Sequence, residues 1–147
     1  GDMQKNADAY GFKVEFTVPM RPLGKGRPRF TRRGRAYTPK KTRAAERYVA
    51  IFAKEAMREH NRAESQPLAV ELECVFAPPA SWSKKKREEA IRLCMPRTGK
   101  PDIDNLEKLV CDAMNGIVYA DDKLITEMRA VKFYGESDEV RVSVREI

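Results

Sequence analysis

Between Arg21 and Arg43 the chain carries ten bases and no acid: Arg21, Lys25, Arg27, Arg29, Arg32, Arg33, Arg35, Lys40, Lys41 and Arg43. Pro22, Pro28 and Pro39 alternate with Gly24, Gly26 and Gly34 through the same stretch. So dense a block of like charge belongs on the surface, and its prolines and glycines forbid a continuous helix. The ten bases exceed the net charge of the whole chain, +7, by three, so the remainder is a mildly acidic body. Like charge repels itself until a polyanion neutralises it, which favours nucleic acid as the partner over a merely solvated, mobile arm. Phe30 and Tyr37 interleave the bases and are suited to stacking on exposed nucleotides. A membrane surface fits less well, because no amphipathic helix can cross this stretch. Gly24-Lys25-Gly26 lacks the third glycine of a nucleotide fingerprint and reads as a flexible, backbone-exposing loop or hairpin.

The rest of the chain alternates between two periods. Phe12, Val14, Phe16 and Val18 share one face of a strand over 12–18. Thr38-Pro39 reads as an N-cap followed by proline at the first helical position, and Ala45, Tyr48, Val49, Phe52 and Ala56 carry that helix to about His60. Val70, Leu72, Cys74 and Phe76 alternate with Glu71 and Glu73 in a strand over 68–76, which Pro78-Pro79 stops. Ser83 to Cys94 reads as a short helix whose basic start, Lys84-Lys85-Lys86-Arg87, opposes the helix dipole; it is either weakly helical or faces a phosphate. Trp82 beside it is expected as a core or rim anchor. After a loop from Pro96 to Pro101, Leu106, Leu109, Val110, Ala113 and Met114 mark a third helix from about Asp104, closed by Asn115-Gly116. Strands over 125–134 and 139–145 finish the chain. The expected fold is α+β: a single small domain with a mixed sheet and flanking helices. Its 147 residues suit one domain over 12–147, with 1–11 expected as a tag remnant (Gly1-Asp2 precede Met3) and flexible N-terminus.

Several function classes drop out. No apolar run approaches the roughly 20 residues of a bilayer span. No basic stretch followed by an apolar one opens the chain, and three scattered cysteines without a C-x-x-C suggest reduced thiols, so a cytoplasmic location is expected. The single histidine, His60, removes zincin, HNH-type and zinc-deaminase sites and argues against Ser-His-Asp hydrolysis. Any metal site must then be built from carboxylates, which suits Mg²⁺ or Mn²⁺ and not zinc.

The carboxylates fall in a pattern. Asp102 and Asp104 stand two apart at a loop-to-helix junction behind Pro101, and residues 102–104 are expected to be extended, with both carboxylates on one side. Asp121-Asp122 follows the third helix. If the strand beyond it runs beside the junction, three carboxylates converge, and a divalent cation would relieve their repulsion. Each residue also has a structural reading. Asp104-x-x-Glu107 is a capping box, Lys108 is spaced for surface ion pairs with Asp104 and Asp112, and Asp121-Asp122 suits a turn.

Pro101-Asp102-Ile103-Asp104-Asn105-Leu106-x-Lys108, then Asp112-Ala113, Asn115-Gly116 and Asp121-Asp122, resembles the core signature of the RusA-like Holliday junction resolvases, which are mostly phage- or prophage-borne endonucleases. Gly24-Lys25-Gly26-Arg27-Pro28-Arg29 and Tyr37-Thr38-Pro39 are also similar to many members, so the likeness spans about residues 12 to 145. The resemblance implies a small homodimer that cuts four-way DNA junctions with Mg²⁺, or Mn²⁺ as a substitute, in recombination and repair. By motif position it implies Asp102, Asp104 and Asp122 as metal-binding catalytic carboxylates, with Asp121 the less certain member of its pair, and Lys108 as the catalytic lysine. Lys25, Arg27, Arg29, Arg32, Arg33 and Arg35 would grip the junction backbones. The long basic insertion before the first helix departs from members in which it is shorter.

Two other classes fit the same residues: a metal-dependent nuclease of broader habit, acting on other branched DNA or on RNA, and a non-catalytic DNA-binding module. Whichever holds, the basic segment generates one expectation. Changing Arg27 and Arg29 together to Ala weakens DNA binding and flattens the slope of log affinity against log salt by about two units. An unchanged slope would place the DNA-contacting surface elsewhere.

Overall fold

A computed structural model describes residues 11–147; the expected remnant and N-terminus lies outside the described residues, apart from Gly11. The elements run β1 (Lys13–Val18), β2 (Arg29–Phe30), β3 (Ala36–Tyr37), α1 (Lys40–Ala56), β4 (Leu68–Phe76), α2 (Lys84–Arg92), α3 (Ile103–Met114), a 3₁₀ turn (Asp122–Leu124), β5 (Ile125–Tyr134) and β6 (Glu139–Glu146). Four strands form a mixed sheet in the order β1-β6-β4-β5, antiparallel except for the parallel pair β4 and β5. A parallel pair needs a long crossover, and here that crossover carries α2 and α3.

One face of the sheet is the core. Val14 and Val18, Leu68, Val70 and Leu72, and Val140, Val142 and Val144 are buried against Val49 and Ala53 of α1 and Leu109, Val110 and Met114 of α3. A second cluster of Cys74, Phe76, Ala90, Leu106 and Tyr134, with Trp82 packed against it, seats α2 at the end of β4. Trp82 is half-buried, tilted on Tyr134 and covered by the Lys86 ammonium, so it is the expected rim anchor. The opposite sheet face is charged, with Arg141 paired to Glu73 at 3.2 Å and to Glu139 at 3.0 Å. The α+β single domain read from periodicity is what forms.

Element boundaries shift in places. Thr38 is not the cap of α1: Pro39 holds that position in an extended conformation, without a side-chain cap, and its carbonyl accepts from the Arg43 N–H at 3.1 Å. The helix stops at Ala56, short of His60, because the Arg58 N–H turns to the Glu55 carbonyl three residues back, the tightened bond of a last turn. Helix α2 is genuinely helical despite its basic start, since the Ser83 hydroxyl accepts from the Lys86 N–H at 3.2 Å; it ends at Arg92, and Cys94 adopts a φ of 46°.

The larger difference is at the root of the basic segment. Gly24-Lys25-Gly26 is not an open loop but is threaded between α1 and α3. The Lys25 N–H donates to the Asn105 carbonyl at 2.9 Å, and its ammonium donates to Asp112 at 2.7 Å and lies 3.1 Å from Glu46. The Gly26 N–H donates to the buried Thr42 hydroxyl at 3.1 Å. A Cβ on Gly24 would stand 3.0 Å from both the Asn105 and Pro101 Cβ atoms, so only glycine passes without a shift. The hairpin lies further on, where β2 pairs with β3.

Partial burial lowers the pKa of Lys25, but hydrogen bonds and charge from Asp112 and Glu46 outweigh it and hold the ammonium above its ordinary 10.5. A cation whose pKa is raised on folding contributes stability that is full at neutral pH and is lost as pH rises through the raised value. Lys25→Met is therefore expected to lower unfolding free energy by about 1–3 kcal/mol at pH 7, and the deficit should shrink in alkali above 10.5. Urea unfolding at the two pH values checks this; a deficit independent of pH would show that the ion pairs are not its cause.

Candidate active site

The carboxylates expected at the loop-to-helix junction sit at the start of α3. Asp102 occupies the capping position in an extended conformation (φ −70°, ψ 149°), yet its side chain caps nothing. Ile103 and Asp104 are already helical, so the expected extended run over 102–104 is confined to Asp102. The capping box of Asp104 and Glu107 does not form either, because Asp104 lies inside the first turn and not before it. There the positive end of the helix dipole favours its negative charge. The inward face of α3 is Leu106, Leu109, Val110, Ala113 and Met114. The opposite side, at helical spacing, carries Asp104, Glu107 and Lys108, whereas Cys111 is buried with the core.

Glu107 was expected only as a capping partner, yet burial and the neighbouring Asp104 charge raise its pKa above the ordinary carboxylate value. Its i, i+3 spacing from Asp104 was the available signal. Lys108 is exposed and forms neither ion pair open to it along the helix, since Asp112 is taken by Lys25. Among the described residues no ion pair involves Asp102, Asp104, Glu107, Lys108 or Asp122.

Asp121 and Asp122 divide the two readings of their pair. Asp121 is a turn residue, accepting from the Lys123 N–H at 2.9 Å. Asp122 opens the 3₁₀ turn with a side chain that is exposed. Its approach is stitched to the body by backbone bonds, Ala63 N–H to Val118 at 2.9 Å and Ala120 N–H to Ala63 at 2.8 Å. The buried Tyr119 hydroxyl adds a bond to the Cys111 carbonyl at 2.6 Å. Gly116, at a φ of 79°, makes the turn out of α3 that begins this approach. The Cys111 thiol is pushed up to about 12, by burial first and then, against a lowering from Tyr119, by the charges of Glu107, Asp122 and Asp112. The Asp122 charge thus reaches the buried Cys111 of α3, and that thiol is too weak an acid to serve as a nucleophile.

The loop entering α3 is pinned by cations that sequence spacing does not reveal. The Lys132 ammonium donates to the Gly99 carbonyl at 2.8 Å and to that of Pro101 at 2.9 Å. Arg97, stacked over Phe76, donates to the Lys100 carbonyl at 2.7 Å. Of the six bases expected to grip DNA, Lys25 is spent on Asp112 and Glu46, whereas Arg27, Arg29, Arg32, Arg33 and Arg35 are exposed on and beside the hairpin. Phe30 and Tyr37 stand out on it, 67% and 46% exposed.

The donors suit a hard divalent cation in kind, being carboxylate oxygens that no cationic side chain occupies. Their spacing is not closed around one point: among the described residues no three of His, Cys, Asp and Glu stand close enough to hold an ion.

The sequence profile described as Endodeoxyribonuclease RusA matches residues 19–145. A relative from Bacillus subtilis (strain 168), named Uncharacterized protein YqaN, is 34% identical over 137 residues, which cover 91% of this chain and 96% of the relative. Because that profile covers nearly the whole chain, the chain belongs to the RusA endodeoxyribonuclease family.

Proposed function

We propose that this chain is a divalent-metal-dependent endonuclease that resolves four-way DNA junctions in recombination and repair. The observation that carries the reading is the contrast along α3. Asp112 is neutralised by a lysine of the fold, while among the described residues Asp102, Asp104 and Lys108 on the same helix have no ion-pair partner, although a cationic segment is clasped beside them. Charges left unpaired next to opposite charge are better explained by a ligand than by stability.

Asp102, Asp104 and Asp122 would hold the ion, Mg²⁺ or Mn²⁺, only by drawing together from the open spacing described above, with Asp121 kept to its turn. When bound, that ion supplies an activated water and stabilises the departing oxygen. Lys108, one turn beyond Asp104, would neutralise the charge that builds on the phosphate as it is attacked. Arg27, Arg29, Arg32, Arg33 and Arg35 would grip two strands of backbone, and Phe30 and Tyr37 would stack on bases unpaired at the branch. Paired symmetric nicks call for two sites related by a two-fold axis, so the acting species is proposed to be a homodimer.

The test is cutting of an end-labelled synthetic four-way junction, beside linear duplex and RNA controls, with Mg²⁺ or EDTA. Wild-type protein is expected to give paired nicks that need the ion. Asp104→Asn should abolish them and leave binding intact or tighter, since it removes a ligand and not the grip. Binding without cutting under any divalent ion would contradict the enzyme and favour a DNA-binding module.

A further inference from the structure

A groove of about 550 Å³ runs between the root of the basic segment and the start of α3. Its apolar lining includes Pro22, Leu23 and Pro101, and Lys41 of α1 and Lys100 line it as well. Asp102 lines one end. A second groove of about 350 Å³ shares Leu23, Gly24 and Lys41 with the first and leads on to Arg27 and Arg29. The two together make a track from the carboxylates to the hairpin.

We propose that the first groove holds one unpaired nucleotide of the DNA strand being cut, the neighbour of the phosphate that lies at the carboxylates; this rests on the nuclease reading above. Its volume falls in the range of single small ligands, about 300–1,000 Å³, and has no room for a duplex. An apolar lining that also carries two lysines matches a base together with its flanking phosphates. Lys41 and Lys100 are exposed and, among the described residues, have no carboxylate partner, unlike Lys25 and Arg21 at the same groove, which pair with Asp112 and Asp138. The second groove gives the strand a cationic continuation. Taking a base out of its stack is least costly where pairing is already broken, so the groove would favour branch points over intact duplex.

The experiment places 2-aminopurine singly at each position around the centre of a synthetic four-way junction and adds wild-type protein in EDTA. Anisotropy of a distal dye reads binding, and 2-aminopurine fluorescence reads unstacking. Expected is a severalfold rise at one position per strand, lost in Leu23→Trp, which fills the groove, and diminished in Lys41→Glu, an exposed site where folding is not at stake. Both variants should still bind the junction through the hairpin. Binding with no rise at any position would overturn the groove assignment, as would a rise that survives both substitutions. Failure of wild-type protein to bind the junction at all is a separate result; it would overturn the nuclease reading and this assignment with it.

Discussion

The Lys25 ammonium, held between Asp112 of α3 and Glu46 of α1, is the interaction on which the layout of the site depends. It fastens the start of a strongly cationic segment to two helices whose exposed faces carry both signs of charge. Desolvating an ammonium is costly, and an ion pair often does no more than offset that cost. Here the raised pKa places the balance on the favourable side. The clasp has a second effect. By occupying Asp112 it removes one of the two carboxylates that Lys108 would otherwise meet along the helix, as the proposed contact of that ammonium with a phosphate requires.

The sheet decides where the clasp can form. Parallel pairing of β4 and β5 forces the chain over one face of the sheet, and the crossover returns as α3, whose apolar side completes the core. What remains of the helix is a stripe of Asp104, Glu107 and Lys108. The two loops that flank α3 are then fixed from outside it. Lys132, on β5, donates into the loop before the helix, and Tyr119 ties the loop after it to the Cys111 carbonyl. Asp102 and Asp122 are therefore presented by irregular backbone that is bonded as firmly as regular structure, the usual place for reactive groups on a rigid scaffold.

Local patterns made the strands and the carboxylates legible. The alternation of Val70, Leu72, Cys74 and Phe76 marks β4 from end to end, and the valines of β6 do the same. Charge and spacing singled out Asp102, Asp104 and the pair Asp121-Asp122, while the family resemblance pointed to Lys108 and to Asp122 within its pair; among the described residues Asp102, Asp104, Lys108 and Asp122 take no ion-pair partner. The contacts that spacing misses are distant in the chain: Lys25 and Asp112 are 87 residues apart, and Lys132 and Gly99 are 33 apart. No periodicity records such pairings. Lys25 consequently reads as one more base of the segment, although its ammonium is already matched. The extended reading of 102–104 fails for a local reason, because Pro101 restrains only the residue before it and leaves Ile103 and Asp104 free to be helical.

The account's central claim, that the carboxylates of α3 and the 3₁₀ turn form one ion site, is tested most directly by titrating the ¹⁵N-labelled protein with Mn²⁺ and recording which amide signals broaden. Broadening centred on residues 102–108 and 121–124, competed away by Mg²⁺ and absent in Asp104→Asn, is the predicted result. The outer sheet face offers rival carboxylates in Glu15, Glu71 and Glu73. Broadening centred there, or none at all, would contradict the claim.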